Sequence, residues 1–174
     1  MAYIYHGVPE TIKGTALIPL SKMETVDPDL QKKYLEKYNG RESVIERHIP
    51  LLDCAWDEVV QLLPLHPRQL FTYQQQIGII NEIPDYRYFE FDVNVLDSDS
   101  AVVYFKTAPG DDHVTVKWLA DVNIDELQSI PQATINYYDS MVGKDEPVFN
   151  YQFIPHILYR GSIDISEARE IGIR

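Results

Sequence analysis

The sequence predicts an α+β fold with a mixed, mainly antiparallel sheet and a few helices. The predicted strands outnumber the predicted helices, and the two do not alternate in the strict β-α-β order that indicates a doubly wound parallel sheet. No G-x-G-x-x-G sequence follows a predicted strand, so the dinucleotide fingerprint of parallel α/β folds is absent. A chain of 174 residues is typical of a single domain, and residues 1–174 are expected to form one.

The first predicted helix spans residues 28–38. Asp27 is a good N-cap, Pro28 suits the first helical position, and Gly40 follows the last turn. The apolar residues of this segment recur at i, i+4 and i+8 and form one stripe: Leu30, Tyr34 and Tyr38.

Two further helices are predicted over residues 67–77 and 131–141. Each begins with a proline, whose fixed backbone angle suits the first helical turn. Each is followed by a glycine, Gly78 or Gly143, which favours a helix end.

The strands are predicted from alternation of apolar and polar residues and from turn signals. Residues 86–95 alternate aromatic and aliphatic side chains with charges, as a half-buried strand does. The turn cluster at residues 108–112 predicts that the strands on either side of it pair. The complete set of predicted strands is residues 2–5, 42–49, 86–95, 101–106, 113–119, 148–160 and 162–165. Residues 54–63 fit either a strand or a helix.

The charge balance is strongly acidic. The net charge is −12, from 27 acidic and 15 basic residues. Such a field repels phosphate backbones, so nucleic-acid binding is not expected. It attracts basic proteins, and the acids of residues 24–29 and 82–99 are predicted to provide a surface for such a partner.

The cysteine content and the absence of a long apolar run predict a cytoplasmic protein. Cys54 is the only cysteine, so no internal disulfide forms, and its apolar neighbours predict a buried, inert thiol. No apolar run approaches the roughly 18 residues that span a bilayer, and the first residues have no basic, signal-like pattern. No membrane partner is expected.

The sequence contains no strong catalytic or metal-binding motif. C-x-x-C, H-E-x-x-H, G-x-S-x-G and P-loop patterns are absent. The five histidines share no metal-ligand spacing, so no metal cofactor is predicted. Metal-assisted hydrolysis by Asp111, Asp112 and His113 is the least favoured alternative, because this turn lacks the ligand density of a calcium loop.

Two histidines near the ends of the chain are candidate site residues. His6, in Tyr5-His6-Gly7, lies where a strand enters a loop, a common place for functional residues. His156 is predicted on the last long strand, and it shares a cleft with His6 if those two strands are neighbours. The alternatives are a turn-capping role for His6 and a buried, hydrogen-bonded structural role for His156.

Two further candidates lie in the middle of the chain. Arg68 follows His66-Pro67 at a predicted helix start, where backbone amides and a guanidinium together bind anions. Asp53, Asp57 and Glu58 lie around Trp56, and paired carboxylates beside an indole suit acid–base chemistry. The alternatives are an ordinary helix start with a surface arginine, and acids that act as caps.

Residues 4–9, 40–42, 52–59, 66–67 and 154–165 together resemble a family of small bacterial proteins. This resemblance covers nearly the whole chain and implies no particular activity.

The chain also resembles DarT-like ADP-ribosyltransferases. Tyr5-His6 matches a first strand that ends in Tyr-His, whose histidine contacts the nicotinamide ribose of NAD in that family. Residues 56–70 resemble the family's aromatic segment, which leads to a proline-containing helix start. His156 stands where the family has its catalytic glutamate, and a histidine cannot supply the same negative charge.

This second resemblance implies an ADP-ribosyltransferase-like fold that binds NAD or a related nucleotide. It places His6 on the ribose, Arg41 or Arg68 on the phosphates, and Tyr73 on a ring. His156, with Glu58, becomes the group nearest the reacting centre. The domain then either transfers ADP-ribose, with help from electrostatic stabilisation of the cationic sugar, or has an altered activity. The rival hypothesis is a non-catalytic, acidic protein-interaction module.

Overall fold

The computed structural model describes residues 2–174, except for the side chain of Asp111. The three helices are α1 (Pro28–Leu35), α2 (Arg68–Gln76) and α3 (Gln132–Met141). The strands are β1 (Tyr3–Gly7), β2 (Ala16–Leu17), β3 (His48–Ile49), β4 (Cys54–Ala55), β5 (Val60–Leu62), β6 (Arg87–Asp92), β7 (Ala101–Lys106), β8 (Val114–Trp118), β9 (His156–Tyr159), β10 (Ile163–Asp164) and β11 (Arg169–Gly172).

Two antiparallel sheets form the centre of the molecule. One has the strand order β1-β6-β11, and the other has the order β5-β9-β7-β8. A bridge between Tyr5 and Leu63 joins them, with N–H···O distances of 2.9 and 2.8 Å in the two directions. The prediction of an α+β fold with a mainly antiparallel sheet is confirmed.

Each face of this joined sheet has its own core. The face that we call the cleft face includes Ile4, Leu62 and Ile157, which pack in one cluster. The opposite face includes Tyr5 and Leu63 in a second cluster, and Tyr104 and Leu158 in a third. Helix α2 packs Leu70 and Phe71 into the second cluster, so it covers the opposite face.

The three predicted helices are confirmed, because their end signals are local. The carboxylate of Asp27 accepts a hydrogen bond from the amide of Leu30 at 3.2 Å, which caps α1. A 3₁₀ turn, Glu36–Tyr38, extends α1 to the predicted end. Gly78, with a φ of 80°, follows the end of α2, and Gly143, with a φ of 75°, follows α3.

Several strand predictions are wrong or incomplete. Residues 42–49 form a 3₁₀ turn, Glu42–Val44, and then only two strand residues. Residues 54–63 divide into β4, a 3₁₀ turn at Trp56–Glu58, and β5.

Residues 148–155 are irregular and not a strand, because tyrosines of α3 hydrogen-bond to their backbone. The Tyr137 hydroxyl accepts from the amide of Phe149 at 3.0 Å, and the Tyr138 hydroxyl donates to the carbonyl of Asn150. Strand β11 was not predicted, since its segment is short and charged.

Candidate functional site

A cleft opens on the cleft face, beside the end of β1. Its volume is about 450 Å³, within the range of roughly 300–1,000 Å³ that is typical of small-molecule sites. One wall is the chain that follows β1, residues 7–20, and the other is α1 with the turn after it. His6, Val60 and Gln61 line the cleft between these walls.

His6 presents a hydrogen-bond acceptor to this cleft. Its Nδ1 lies 2.8 Å from the carbonyl oxygen of Gln61. A carbonyl can only accept, so Nδ1 holds the proton and Nε2 is the acceptor nitrogen. Burial lowers the pKa of His6, and the positive charge of Lys37 lowers it further, so the ring is neutral at pH 7. Among the groups that the structure describes, the His6 ring makes no other hydrogen bond, so Nε2 is the ring nitrogen left for a ligand in the cleft.

The apolar stripe of α1 faces the cleft and not a core. No residue of α1 is fully buried. All three stripe residues line the cleft: Leu30, Tyr34 and Tyr38. An amphipathic helix normally buries its apolar face against the rest of the protein. Here that face covers an apolar cavity, which is the arrangement of a ligand site.

Three lysines line the cleft, and two of them are neutralised by carboxylates. Lys13 Nζ lies 2.8 Å from Asp27 Oδ2, and Lys33 pairs with Glu10. Each pair joins the residue 7–20 wall to the helical wall. Lys37 has no carboxylate partner among the described residues. Its Nζ lies 4.6 Å from the centroid of the Tyr34 ring.

The hydroxyl of Tyr34 is buried and has no hydrogen-bond partner among the described residues. Burial raises the pKa of Tyr34, and the negative charge of Glu10 raises it further. The hydroxyl therefore stays protonated at neutral pH and remains a donor. An unsatisfied buried hydroxyl normally costs stability, so this donor at the cleft needs an explanation.

His156 does not share the cleft with His6, so that prediction is wrong. Strand β5 lies between β1 and β9. The register pairs Leu62 with Ile157, and one residue further on it brings Leu63 beside His156. Leu63 also pairs with Tyr5. Tyr5 and His156 therefore lie on the opposite face, whereas His6, one residue after Tyr5, lies on the cleft face.

The ring of His156 is hydrogen-bonded to the protein backbone on the opposite face. Its Nδ1 donates to the carbonyl of Ile154, 2.7 Å away, and burial lowers its pKa. It stands next to Tyr104 in the pairing of β7 with β9. These contacts match the structural role that the sequence left open.

Glu58 and Arg41 also lie outside the set of residues that line the cleft. The Glu58 carboxylate accepts from the amide of Ala55 at 2.7 Å, as a cap of the short turn that contains it. Burial raises the pKa of the neighbouring Asp57. Arg41 is exposed, and its Nη2 donates to the carbonyl of Lys37 at 2.8 Å.

Arg68 and Tyr73 lie together in a second, open hollow beside α2. The amides at the start of α2 do not form the predicted anion site, because they have partners. His66 Nδ1 accepts from the amide of Arg68 at 3.2 Å, and the His66 carbonyl accepts from Gln69 at 3.0 Å. The Tyr73 hydroxyl donates to Asp139, 2.8 Å away. The structure therefore does not bring Arg68 or Tyr73 to His6.

Sequence reasoning missed Tyr34 and Lys37 as site residues. The sequence predicted the apolar stripe of α1 but assigned it no role in a site. The signal that points to a site is Lys37 three residues after Tyr34, which places a cation on the edge of an apolar stripe.

Two acids in the predicted acidic surface are instead buried and paired. Asp27 is 8% exposed and Glu90 is 6% exposed. Glu90 Oε1 lies 2.5 Å from Arg169 Nη2 and also hydrogen-bonds to the Tyr5 hydroxyl. These two residues therefore cannot contribute to a surface for a basic partner.

The remaining predictions concern the thiol, metals and membranes. Cys54 is free and buried, and burial raises its pKa, as expected for an inert thiol. No group of three or more potential metal ligands converges among the described residues; Asp111, from the hydrolysis alternative, has its side chain outside them. Within residues 2–174, no helix has the length and apolar character needed to cross a bilayer.

Comparisons with known proteins give one distant structural similarity. The sequence matches no protein-family model and no curated protein. The structure of Thermosipho africanus DarTG in complex with ADP-ribose aligns with 97% of this chain, at a TM-score of 0.45 and 9% sequence identity. The alignment covers 43% of that chain, so this chain spans less than half of its length. This is a distant structural relationship, and it assigns no function.

Proposed function

We propose that this chain is an ADP-ribosyltransferase-like domain that binds NAD or ADP-ribose in the cleft beside His6. The observation that supports this most is the pairing of the α1 stripe with His6 across an apolar cavity. Apolar walls suit the faces of a base and a sugar, while a few polar groups fix the orientation of the ligand. The neutral His6 ring offers Nε2 to a ribose hydroxyl or a carboxamide N–H.

The cleft supports binding better than transfer of ADP-ribose. Cleavage of the nicotinamide bond develops positive charge on the sugar, which a nearby free carboxylate stabilises. The cleft carboxylates are Glu10 and Asp27, and both are paired with lysines. His156 and Glu58 lie elsewhere. The proposal is therefore a domain that holds the nucleotide with little or no transfer activity.

Isothermal titration with NAD and with ADP-ribose tests the binding. We expect saturable heat with both ligands at millimolar concentration or below. A parallel assay of nicotinamide release from NAD is expected to stay near the uncatalysed rate. If neither NAD nor ADP-ribose gives heat, the nucleotide hypothesis is wrong. Rapid nicotinamide release would contradict only the proposal that the domain has little or no transfer activity.

A further inference from the structure

We propose that Lys37 and Tyr34 form an anion subsite in the cleft, which takes a phosphate or diphosphate group of the ligand. This inference deepens the proposed function and rests on the same cleft. It also assigns the other two cleft lysines a different task, because they join the two walls and do not contact the ligand.

The first step is the charge distribution among the cleft lysines. Lys13 and Lys33 each have a carboxylate within ion-pair distance. A ligand anion at either of them would compete with a carboxylate that is already bound. Lys37 forms no ion pair with a carboxylate in the described part of the chain. Its ammonium group can therefore bind a ligand anion without first breaking an existing ion pair.

The second step is the donor next to this cation. The Tyr34 hydroxyl is enclosed, has no hydrogen-bond partner among the described side chains and backbone, and stays protonated at neutral pH. Lys37 Nζ lies 4.6 Å from the centroid of the same ring. A phosphate oxygen that accepts from the hydroxyl can therefore also lie against the ammonium group, and the two donors act on one anion.

The third step concerns the end of the helical wall. The carbonyls at a helix C-terminus disfavour a nearby anion. The carbonyl of Lys37 accepts from the Arg41 guanidinium at 2.8 Å, which offsets its negative character. Arg41, which the resemblance gave with Arg68 as a candidate for the phosphates, contacts this backbone carbonyl and not the Lys37 ammonium group.

The fourth step is the relation of this subsite to His6. Lys37 is close enough for its charge to act on the His6 ring. A ligand with a phosphate on Lys37 and a hydroxyl on Nε2 of His6 would contact both of these lining residues at once. A sugar phosphate has this pair of groups, and a free nucleoside lacks the anion.

Titration of four variants with three probes tests the inference. The variants are Lys37→Met and Tyr34→Phe, with Lys32→Met and Tyr73→Phe as controls. Lys32 is an exposed lysine of the same helix, and neither Lys32 nor Tyr73 lines the cleft. The probes are ADP-ribose, inorganic pyrophosphate and adenosine.

We expect Lys37→Met to weaken binding of ADP-ribose and pyrophosphate by about tenfold or more, as for a lost charged hydrogen bond. Adenosine binding should not change. Tyr34→Phe should weaken ADP-ribose binding by about tenfold and also raise the melting temperature of the free protein, because it removes a buried hydroxyl without a partner. A purely structural tyrosine would instead lower the melting temperature. Both controls should bind all three probes as the wild type does.

The probes separate this inference from the proposed function. If ADP-ribose binds the wild type, and Lys37→Met and Tyr34→Phe bind it equally well, the subsite is wrong and the nucleotide cleft stands. If pyrophosphate binds in a manner that depends on Lys37 but NAD and ADP-ribose do not bind, the subsite stands and the nucleotide proposal fails. If no probe binds the wild type, both are overturned.

Discussion

His6 and His156 are alike in their local chemistry and different in their surroundings. Each ring donates from Nδ1 to a backbone carbonyl, at 2.8 Å to Gln61 and 2.7 Å to Ile154. Burial lowers the pKa of both. One lies on the face that opens into the cleft, and the other lies on the opposite face next to Tyr104.

In both histidines the hydrogen bond to a nearby carbonyl determines the tautomer of the ring. The face of the sheet on which the residue lies determines whether the other ring nitrogen, Nε2, borders the cleft. Nδ1 is satisfied in both rings, so only Nε2 remains to act on a ligand. On the cleft face it borders a cavity that Tyr34 and Lys37 also line. We therefore expect changes on the opposite face to alter stability, and changes on the cleft face to alter binding.

The largest expected effect is on the opposite face, at Glu90. Glu90→Ala leaves the buried Tyr5 hydroxyl without its acceptor and removes the partner of Arg169. We expect the free energy of unfolding to fall by about 3 kcal/mol, the scale of a disrupted buried polar network. Urea denaturation measures this, and ADP-ribose affinity should stay within about twofold.

Glu170→Ala is the matched control, since Glu170 also joins β11 to β6. Its partner is Arg87, at 2.7 Å, but both side chains are largely exposed. An exposed pair contributes about 0–1 kcal/mol. Equal losses from Glu90→Ala and Glu170→Ala would contradict the burial argument.

The next largest expected effect is the difference in ligand affinity between variants of the two histidines. His6→Ala should weaken ADP-ribose binding by about tenfold or more, because it removes the Nε2 acceptor. His156→Ala should leave the affinity within about twofold and lower the free energy of unfolding by about 1 kcal/mol, through the lost bond to Ile154. Titration and urea denaturation of both variants check this. A loss of affinity in His156→Ala equal to that in His6→Ala would contradict the separation of the faces.

The third effect is the pH dependence of stability. The folded pKa values of both rings lie below the ordinary histidine value. Below about pH 6.5 the unfolded chain therefore binds more protons than the folded protein. Their contribution to stability is fully present above about pH 6.5 and is lost as the pH falls toward the folded pKa values, by at most about 1.4 kcal/mol per histidine for each pH unit.

Comparing His156→Gln with the wild type at about pH 7.5 and about pH 5.5 isolates one histidine. The variant should lose less free energy of unfolding between these two pH values. Burial also lowers the pKa of His66, so part of the acid sensitivity should remain. An unchanged acid sensitivity would mean that His156 is not shielded in solution.

The helices could be predicted from the sequence because their signals are local. The Asp27 cap, the proline starts and the glycine ends each act within one turn. The pair of β7 and β8 was equally predictable from the turn between them. In contrast, the Nδ1 partners of His6 and His156 are backbone carbonyls, and for His6 that carbonyl lies 55 residues away in the chain.

The face of a strand residue depends on register, which the sequence did not reveal. Alternation places Tyr5 and His6 on different faces but does not say which face opens into a cleft. The insertion of β5 between β1 and β9 decides that His156 aligns with Tyr5 and not with His6. The site was partly missed for a related reason. An apolar stripe looks the same whether it covers a core or an empty cavity.

The smallest expected effect concerns the two ion pairs that join the walls of the cleft. Lys33→Met separates the helical wall from Glu10, and Lys13→Met separates the other wall from Asp27. Asp27 keeps its cap on Leu30 in the second variant. Because Lys33 and Glu10 are both exposed, we expect Lys33→Met to change the melting temperature by less than about 2 °C. Lys13→Met should lower it somewhat more, since it leaves the buried Asp27 carboxylate without its cation.

What should change is the local opening of the cleft. Amide hydrogen exchange in residues 8–20 and in α1 should become faster in both variants, while β1 and β5 stay protected, because the walls lose a contact and the sheet does not. High salt should speed the same amides in the wild type, since screening weakens exposed pairs. Lys32→Met, on the same helix but outside the cleft, should leave exchange unchanged. Faster exchange throughout β1 and β5 would show instead that the walls belong to the folding core, and that the cleft face also contributes to stability.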